Sequence, residues 1–338
     1  MDRRKTRIAV AGAGAFGLAI AWSLAKAGFE VSVFDPAQTN ASRVAAGMLA
    51  PVFETILDAE DDGHFPLLMA ARNLWPVLAG QVGIDLDRRG ALVVGNPEFL
   101  AQVSHGIRQL GLSFESRLRS DLDTEFPGLS PSFQEGLLTR EDWRLEPISA
   151  MSALRKAAIA AGVVFHDRAA IGLEGCDKLI IATGAGRDLI SMVPLLGVIT
   201  PIKGQILRSK GRGFDGVLRL PSGYCVGGAG ELAVGATMEP GHSDLEPTAQ
   251  ARTRLEGLAR EAFPAQAFAF EAQVGVRATT PDGLPMIGAT SDPNVLMAVG
   301  ARRNGWLLAP LAAQIITACL TEGEVGPYGA LLDPMRFI

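Results

Sequence analysis

The run Gly12-Ala13-Gly14-Ala15-Phe16-Gly17 constrains this chain more than any other feature. It follows an apolar stretch, Arg7 to Ala11, that reads as a buried strand. It opens a second apolar stretch, Ala15 to Ala27, that reads as a helix stopped by Gly28. Val31 to Asp35 reads as another buried strand, so the N-terminal segment forms one strand–helix–strand unit. In that setting each glycine has a distinct task. Gly12 permits the tight turn, Gly14 lets backbone approach a pyrophosphate, and Gly17 lets helix and strand pack closely. The helix N-terminus offers unpaired N–H groups to phosphate, and Asp35 stands where a carboxylate takes ribose hydroxyls. The pattern predicts a dinucleotide site made by Gly12, Ala13, Gly14, Ala15, Phe16, Gly17 and Asp35. The competing reading is a glycine-rich turn between core elements, in a chain with 39 glycines. The strand before, the helix after and the acid at the end of the next strand weigh against it.

Composition narrows the partners. With 338 residues, 48% of them hydrophobic and 20% charged, the chain can bury a sizeable core across about two domains. The net charge of −5 comes with no long basic run, which argues against nucleic acid. Cys176, Cys225 and Cys319 are odd in number and far apart, so a reducing, cytoplasmic setting is expected rather than a disulfide framework. His64, His105, His166 and His242 show no zinc-ligand spacing, and no metal is expected. The basic start, Met1 to Arg7, followed by an apolar run has the outline of a signal peptide. The patterned glycines within that run favour a buried strand–helix–strand unit instead. No other stretch is apolar enough to span a membrane.

Further along, Pro66 to Val82 reads as a helix kinked or broken at Pro76. Asp87 to Asn96 has strand character, and Pro97 to Leu110 and Ser149 to Ala161 read as helices, the latter capped by Ser149. Lys178 to Thr183 is a buried strand ending in Gly184-Ala185-Gly186. From Lys203 to Thr237 short strands alternate with Gly and Pro turns, at 206–208, 224–226 and 232–234, which predicts antiparallel sheet. Thr248 to Phe263 is helical, Val295 to Val299 is the last buried strand, and Gly305 to Leu320 is a closing helix. The expected class is therefore α/β with α+β. A Rossmann-like nucleotide domain from 1–80, 145–195 and 275–338 interleaves with an antiparallel-sheet substrate domain from 81–144 and 196–274. The last helix bears on the choice between NAD and FAD. Its N-terminus beside a flavin would stabilise the negative charge of the reduced ring, a need that a nicotinamide does not share.

Four separated segments, in order, carry a resemblance. They are the N-terminal nucleotide motif; Ala41-Ser42-Arg43-Val44-Ala45-Ala46-Gly47-Met48-Leu49-Ala50-Pro51; Ile180-Ile181-Ala182-Thr183-Gly184-Ala185-Gly186; and a C-terminal block. That block runs from Gly275-Val276-Arg277 through Thr280-Pro281-Asp282-Gly283-Leu284-Pro285-Met286-Ile287-Gly288 to Gly300-Ala301-Arg302-Arg303-Asn304-Gly305-Trp306-Leu307. Over nearly its whole length the chain resembles the FAD-dependent D-amino-acid oxidase superfamily, and within it the glycine oxidases of thiazole (thiamine) biosynthesis. The resemblance implies that Ser42, Arg43, Ala46, Gly47, Met48, Thr183, Gly184, Arg277, Arg302, Arg303, Asn304, Gly305, Trp306 and Leu307 join the first motif in holding FAD. It implies that Arg303, Arg277 and Tyr224 engage a substrate carboxylate, and that Met48 and Met238 form apolar pocket walls. Two departures stand out: Ala301-Arg302 replaces the family's His and aromatic before the second arginine, and the segment from Val163 to Lys178 is short. Relatives with covalent FAD use a cysteine near the C-terminal block. Val274 to Gly288 contains none, so non-covalent FAD is expected.

The chemistry agrees with what is missing. Amine oxidation by a flavin needs a positioned neutral amine and an aligned Cα–H, but no metal, triad or nucleophile. The expected function is oxidative deamination of glycine or another small amine to the imine. Oxygen is the expected acceptor, giving H2O2, with a role in thiamine biosynthesis. A thiazole-synthase partner and a homo-oligomer stay open. So do three other functions: a D-amino-acid or sarcosine oxidase or dehydrogenase, a flavoprotein modifying a partner protein, and a nicotinamide dehydrogenase.

Overall fold

The computed structural model describes residues 5–38, 40–57, 62–211, 214–228 and 230–338. Met1 to Arg4, the start of the basic run, lie outside the described residues. Strand Arg7–Ala11 sits between two cores. Ile8 and Val10 pack under helices, while Ala9 and Ala11 pack on the opposite face. Burial on both faces is why the strand reads as an unbroken apolar run. It lies inside a six-stranded sheet ordered Met286–Ala289, Val295–Val299, Lys178–Ile181, Arg7–Ala11, Glu30–Phe34, Val164–His166. All neighbours are parallel except the pair Met286–Ala289 and Val295–Val299. Helices Ala15–Lys26 and Gly305–Thr321 cover one face side by side, with the Ser23 and Thr317 hydroxyls 3.0 Å apart.

A second, nine-stranded sheet runs Glu239–Pro240, Thr200–Lys210, Glu231–Gly235, Gly223–Gly228, Gly216–Leu220, Ala91–Val94, Glu135–Thr139, Glu115–Leu118. Strand Glu271–Thr279 pairs along the other side of Thr200–Lys210. Pairings are antiparallel apart from Gly216–Leu220 with Ala91–Val94. On one face Leu218, Leu220, Cys225 and Val234 meet helix Ala249–Ala262. On the other, Ile206, Val217, Val226 and Ala233 meet Val52 and Phe53. Because strand side chains alternate with period two, Arg219 and Tyr224, directly opposed in the ladder, share this second face with Val217 and Val226.

Several expected boundaries shift. Helix Phe65–Val82 passes Pro76 unbroken. Its preceding residue, Trp75, is fully buried and donates its indole N–H to the carbonyls of Trp306 (3.1 Å) and Leu307 (3.3 Å), so packing holds the turn that proline weakens. Helix Pro147–Ala160 is capped by Glu146, not Ser149; the Glu146 carboxylate accepts from the N–H of Ile148 (3.1 Å) and Ser149 (2.6 Å). The strand expected over 87–96 is confined to Ala91–Val94, and that over 178–183 ends at Ile181. Strand Glu271–Thr279 runs through the expected domain boundary at 275. The long C-terminal helix is followed by short ones at Gly329–Leu332 and Pro334–Phe337.

Candidate active site

The nucleotide end is built from contacts that only glycine allows. Gly12 has φ +102°, and a Cβ there would stand 2.4 Å from the Ala182 carbonyl oxygen. A Cβ on Gly17 would stand 2.0 Å from the Gly12 carbonyl oxygen, so Gly17 sits beneath the loop rather than in the cleft. Gly14 borders the cleft, with Ser42 Oγ 3.2 Å from where its Cβ would lie. Two side chains brace the loop. Asp35 accepts from the Ala13 N–H (2.7 Å) and, through its other oxygen, from the Ala37 N–H (2.8 Å). Ser42 Oγ accepts from the Ala15 N–H (3.0 Å). Each Asp35 oxygen keeps a second lone pair for a hydroxyl. The cleft, of about 450 Å³, continues along Phe34, Thr183 and Gly184. The Phe34 ring stacks on His166 at 4.5 Å. A bare backbone at Gly14, a helix N-terminus whose first-turn N–H groups have no intrahelical acceptor, and an acid at the far end fit the pyrophosphate and ribose of FAD.

A second cavity, of about 310 Å³, adjoins the first; Ala41, Ser42, Arg277, Arg302 and Gly305 line both. Its near wall is the segment 41–57. A one-turn helix, Ala41–Val44, capped by Asn40, leads to Gly47 and a two-residue strand, Met48–Leu49, paired with Trp143–Arg144. Gly47, at φ +80°, would put a Cβ 2.0 Å from the Leu145 carbonyl oxygen, and that residue's N–H donates back to Gly47 (2.9 Å). Across the cavity, two polar side chains lie flat over glycines. The Arg277 guanidinium crosses Gly204, where a Cβ would stand 2.5 Å from Nη1. The Tyr224 hydroxyl crosses Gly235, where the same distance is 2.5 Å. Arg277 Nη1 donates to the Thr237 carbonyl (3.2 Å) and touches Met238 Sδ (3.1 Å). Burial lowers the Arg277 pKa, and the nearby Arg303 and Arg302 charges add to that, so an arriving anion is favoured. Burial raises the Tyr224 pKa against the opposing pull of Arg277 and Arg219, which keeps the phenol a neutral donor.

Three residues were not singled out from the sequence. Glu54, only 6% exposed, lies 3.1 Å from Arg303 Nε and 3.5 Å from Arg219 Nη1. Arg219, 4% exposed, also contacts Met48 Sδ at 3.7 Å. Asp142 is buried and accepts from the N–H of Val52 (2.8 Å) and Phe53 (3.0 Å), fixing the start of helix Pro51–Leu57 that presents Glu54. Burial pushes the Asp142 pKa up to about 7. The available signal was a lone charge inside an apolar run, in Pro51-Val52-Phe53-Glu54-Thr55-Ile56-Leu57 and in Gly216-Val217-Leu218-Arg219-Leu220.

The residues expected at the site divide. Gly12 to Phe16, Asp35, Thr183 and Gly184 line the first cavity. Ala46, Gly47, Met48, Tyr224, Met238, Arg303, Asn304 and Trp306 line the second, and Ser42, Arg277, Arg302 and Gly305 line both. Gly17, Arg43 and Leu307 line neither. Arg43 is exposed, because the one-turn helix aims it outward, and Leu307 is buried in the helical core. Trp306 donates its indole N–H to the Ser42 carbonyl (2.9 Å), tying the long helix to the near wall. At Arg302 the backbone is left-handed, φ +48°, and its N–H donates to the Ala278 carbonyl (2.7 Å). Cys176, Cys225 and Cys319 are free thiols outside both cavities.

A family model described as FAD dependent oxidoreductase (DAO) matches residues 7–319. The chain belongs to this family. FAD is thus its cofactor, and the first cavity is the part that fits it. The chain is 28% identical to the bifunctional protein ThiO/ThiG of Nostoc sp., over 95% of its own length and 53% of the relative's. It therefore spans about half the length of such curated relatives. It is 26% identical to a glycine oxidase of Bacillus licheniformis, over 96% of this chain and 95% of that one. The crystal structure of glycine oxidase from Geobacillus kaustophilus superposes with a TM-score of 0.85 at 25% identity, covering 99% of this chain and all of that one. Among the described residues no helix is long and apolar enough to cross a membrane, and no group of three or more His, Cys, Asp or Glu could hold a metal ion.

Proposed function

We propose that this family member oxidises glycine or another very small amine to its imine, with oxygen as acceptor and H2O2 as by-product, in the service of thiazole formation. The observation that carries the reading is the convergence of Arg277 and Tyr224, each laid across a glycine, with Arg303 in the wall of the second cavity. Bound FAD would accept a hydride from the substrate carbon. Everything else falls to the protein. Arg277 and Arg303 would take the α-carboxylate, with the Tyr224 hydroxyl as a further donor. Clustered guanidinium groups disfavour a second positive charge, so they would also favour the neutral amine that oxidation needs. Met48 and Met238 close the apolar sides and leave little room for a long side chain. The ThiO/ThiG relative supports a thiazole synthase as the recipient of the imine. In this reading residues 1–80, 145–195 and 275–338 hold the cofactor, and 81–144 with 196–274 shape the substrate end.

Anaerobic bleaching of the bound flavin by glycine, sarcosine, D-alanine and D-phenylalanine tests the proposal. Glycine should reduce it fastest, and sarcosine and D-alanine should be slower by about 1–3 kcal/mol in barrier per added methylene. A preference for D-phenylalanine would overturn the small-amine reading in favour of a D-amino-acid oxidase.

A further inference from the structure

Lys203 is a buried charge that amine oxidation does not use. It lies in strand Thr200–Lys210, beside the Gly204 that Arg277 crosses, and is 2% exposed. Strand side chains alternate, so Lys203 and Gln205 point to the face opposite Arg277. There the segment 241–248 is laid along the strand, in order. The Gly241 N–H donates to the Pro201 carbonyl (2.8 Å), Lys203 Nζ donates to Asp244 Oδ1, and the Thr248 N–H donates to Gln205 Oε1 (2.8 Å). The same Asp244 oxygen accepts from the Glu246 N–H (3.1 Å), and the bond from Lys203 holds the Asp244 carboxyl below its usual pKa. A buried ammonium costs free energy unless it is paired, and an apolar residue of similar size in its place is often no less stable. Stability alone therefore gives no reason for a lysine here. Its neighbours give one. In the ladder Lys203 stands opposite Val276, which lines the first cavity, and the two residues flanking its partner, Ser243 and Leu245, line that cavity too. Leu245 is 51% exposed, an apolar side chain left bare beside the cavity that fits FAD.

We infer that Leu245, with Ser243, is a contact for FAD, and that Lys203 positions both by holding Asp244 between them. The part of the chain that shapes the substrate end thus also walls the cofactor cavity. Bound FAD covers the apolar side chain of Leu245, which favours retention of the cofactor, and Ser243 adds a hydroxyl that can donate or accept. Asp244 turns the other way, toward the sheet, so one ion pair sets the direction of its two neighbours. Without that pair the ends at Gly241 and Thr248 stay tied to the strand, while the residues between them lose this anchor. The inference needs only FAD in the first cavity and holds whatever amine is oxidised.

The rate of FAD release from the holoenzyme, followed by the fluorescence of free flavin after dilution, tests this. Asp244→Ala, Lys203→Met and Leu245→Ala should each release FAD about tenfold faster than wild type, the equivalent of one lost apolar contact. Asp244→Glu, which keeps the charge, should recover most of the difference. The double variant Asp244→Ala/Leu245→Ala should release FAD no faster than Asp244→Ala alone, because the ion pair acts through Leu245. Melting curves separate positioning from a general loss of stability. Stripped of FAD, Asp244→Ala should melt at the same temperature as stripped wild type, and a gap should open as FAD is added back. Release within about twofold of wild type in both Asp244→Ala and Leu245→Ala would overturn the inference. So would effects that multiply in the double variant, or a full melting gap in the absence of FAD. If Lys203→Met or the stripped protein does not fold, release from the variants at the exposed Asp244 and Leu245 still decides.

Discussion

Replacing Gly204 by alanine should damage substrate binding while sparing the fold. A Cβ at this position would stand 2.5 Å from Arg277 Nη1 and 2.6 Å from both Cζ and Nη2. Ordinary contact is about 3.5 Å, so the guanidinium must slide by about 1 Å. The obstacle is the flexible end of a side chain, not backbone, so the chain accommodates the methyl by giving up the placement of Arg277. Misplacing one charged donor should cost about 1.5–3 kcal/mol of substrate interaction, which is about a ten- to hundredfold loss in kcat/KM. Stability should change by less than about 1 kcal/mol, a shift of no more than about 4 °C in Tm. Flavin absorbance should be retained, because the loop at Gly12 to Gly17 is untouched. Steady-state oxygen uptake on the preferred amine, with thermal melts of both proteins, measures these quantities. Arg277→Ala supplies the decisive control, since the Gly204→Ala loss should vanish on that background. A loss of the same size with and without Arg277, or kcat/KM within twofold of wild type, would refute the reasoning.

Two further outcomes are expected. Gly14→Val should cut FAD occupancy sharply, because its side chain would enter the space beside Ser42 Oγ that the pyrophosphate needs; the ratio of flavin to protein absorbance after purification measures it, and full occupancy would move the phosphate site elsewhere. Asp142 gives a pH signature. Its folded pKa is raised from 3.8 to about 7, so its stabilising contribution is complete below pH ~4 and is lost as pH rises to about 7, by several kcal/mol at 1.36 kcal/mol per unit. Asp142→Asn loses an acceptor to the Val52 and Phe53 amides at every pH, so it should melt below wild type, with the gap narrowing between pH 5 and pH 8. A gap that widens with pH would contradict the raised pKa.

The nucleotide half of the molecule was legible because its constraints are local. Gly12, Gly14 and Gly17 answer to backbone geometry within one turn, and Arg7–Ala11 and Glu30–Phe34 answer to burial on both faces; each leaves a mark in a few consecutive residues. Caps and proline effects were less legible, because neighbours compete. Glu146 outbid Ser149 by reaching two N–H groups, and the buried Trp75 held a turn that Pro76 weakened. The substrate end was legible only through resemblance, at Tyr224, Arg277 and Arg303.

By itself, then, the sequence determined a strand–helix–strand dinucleotide loop and a second antiparallel sheet, while the arginines that suit a carboxylate were marked by family resemblance. Only the tertiary structure decided how those charges are shared. Glu54 sits on a helix whose start is fixed by Asp142, and it meets Arg219 and Arg303 from two distant parts of the chain. Gly204 and Gly235 make the flat placement of Arg277 and Tyr224 possible from neighbouring strands. Such pairings depend on strand register and on how the sheet meets the segment 41–57. Those are distances through space between residues with no periodicity in common, and no local pattern encodes them.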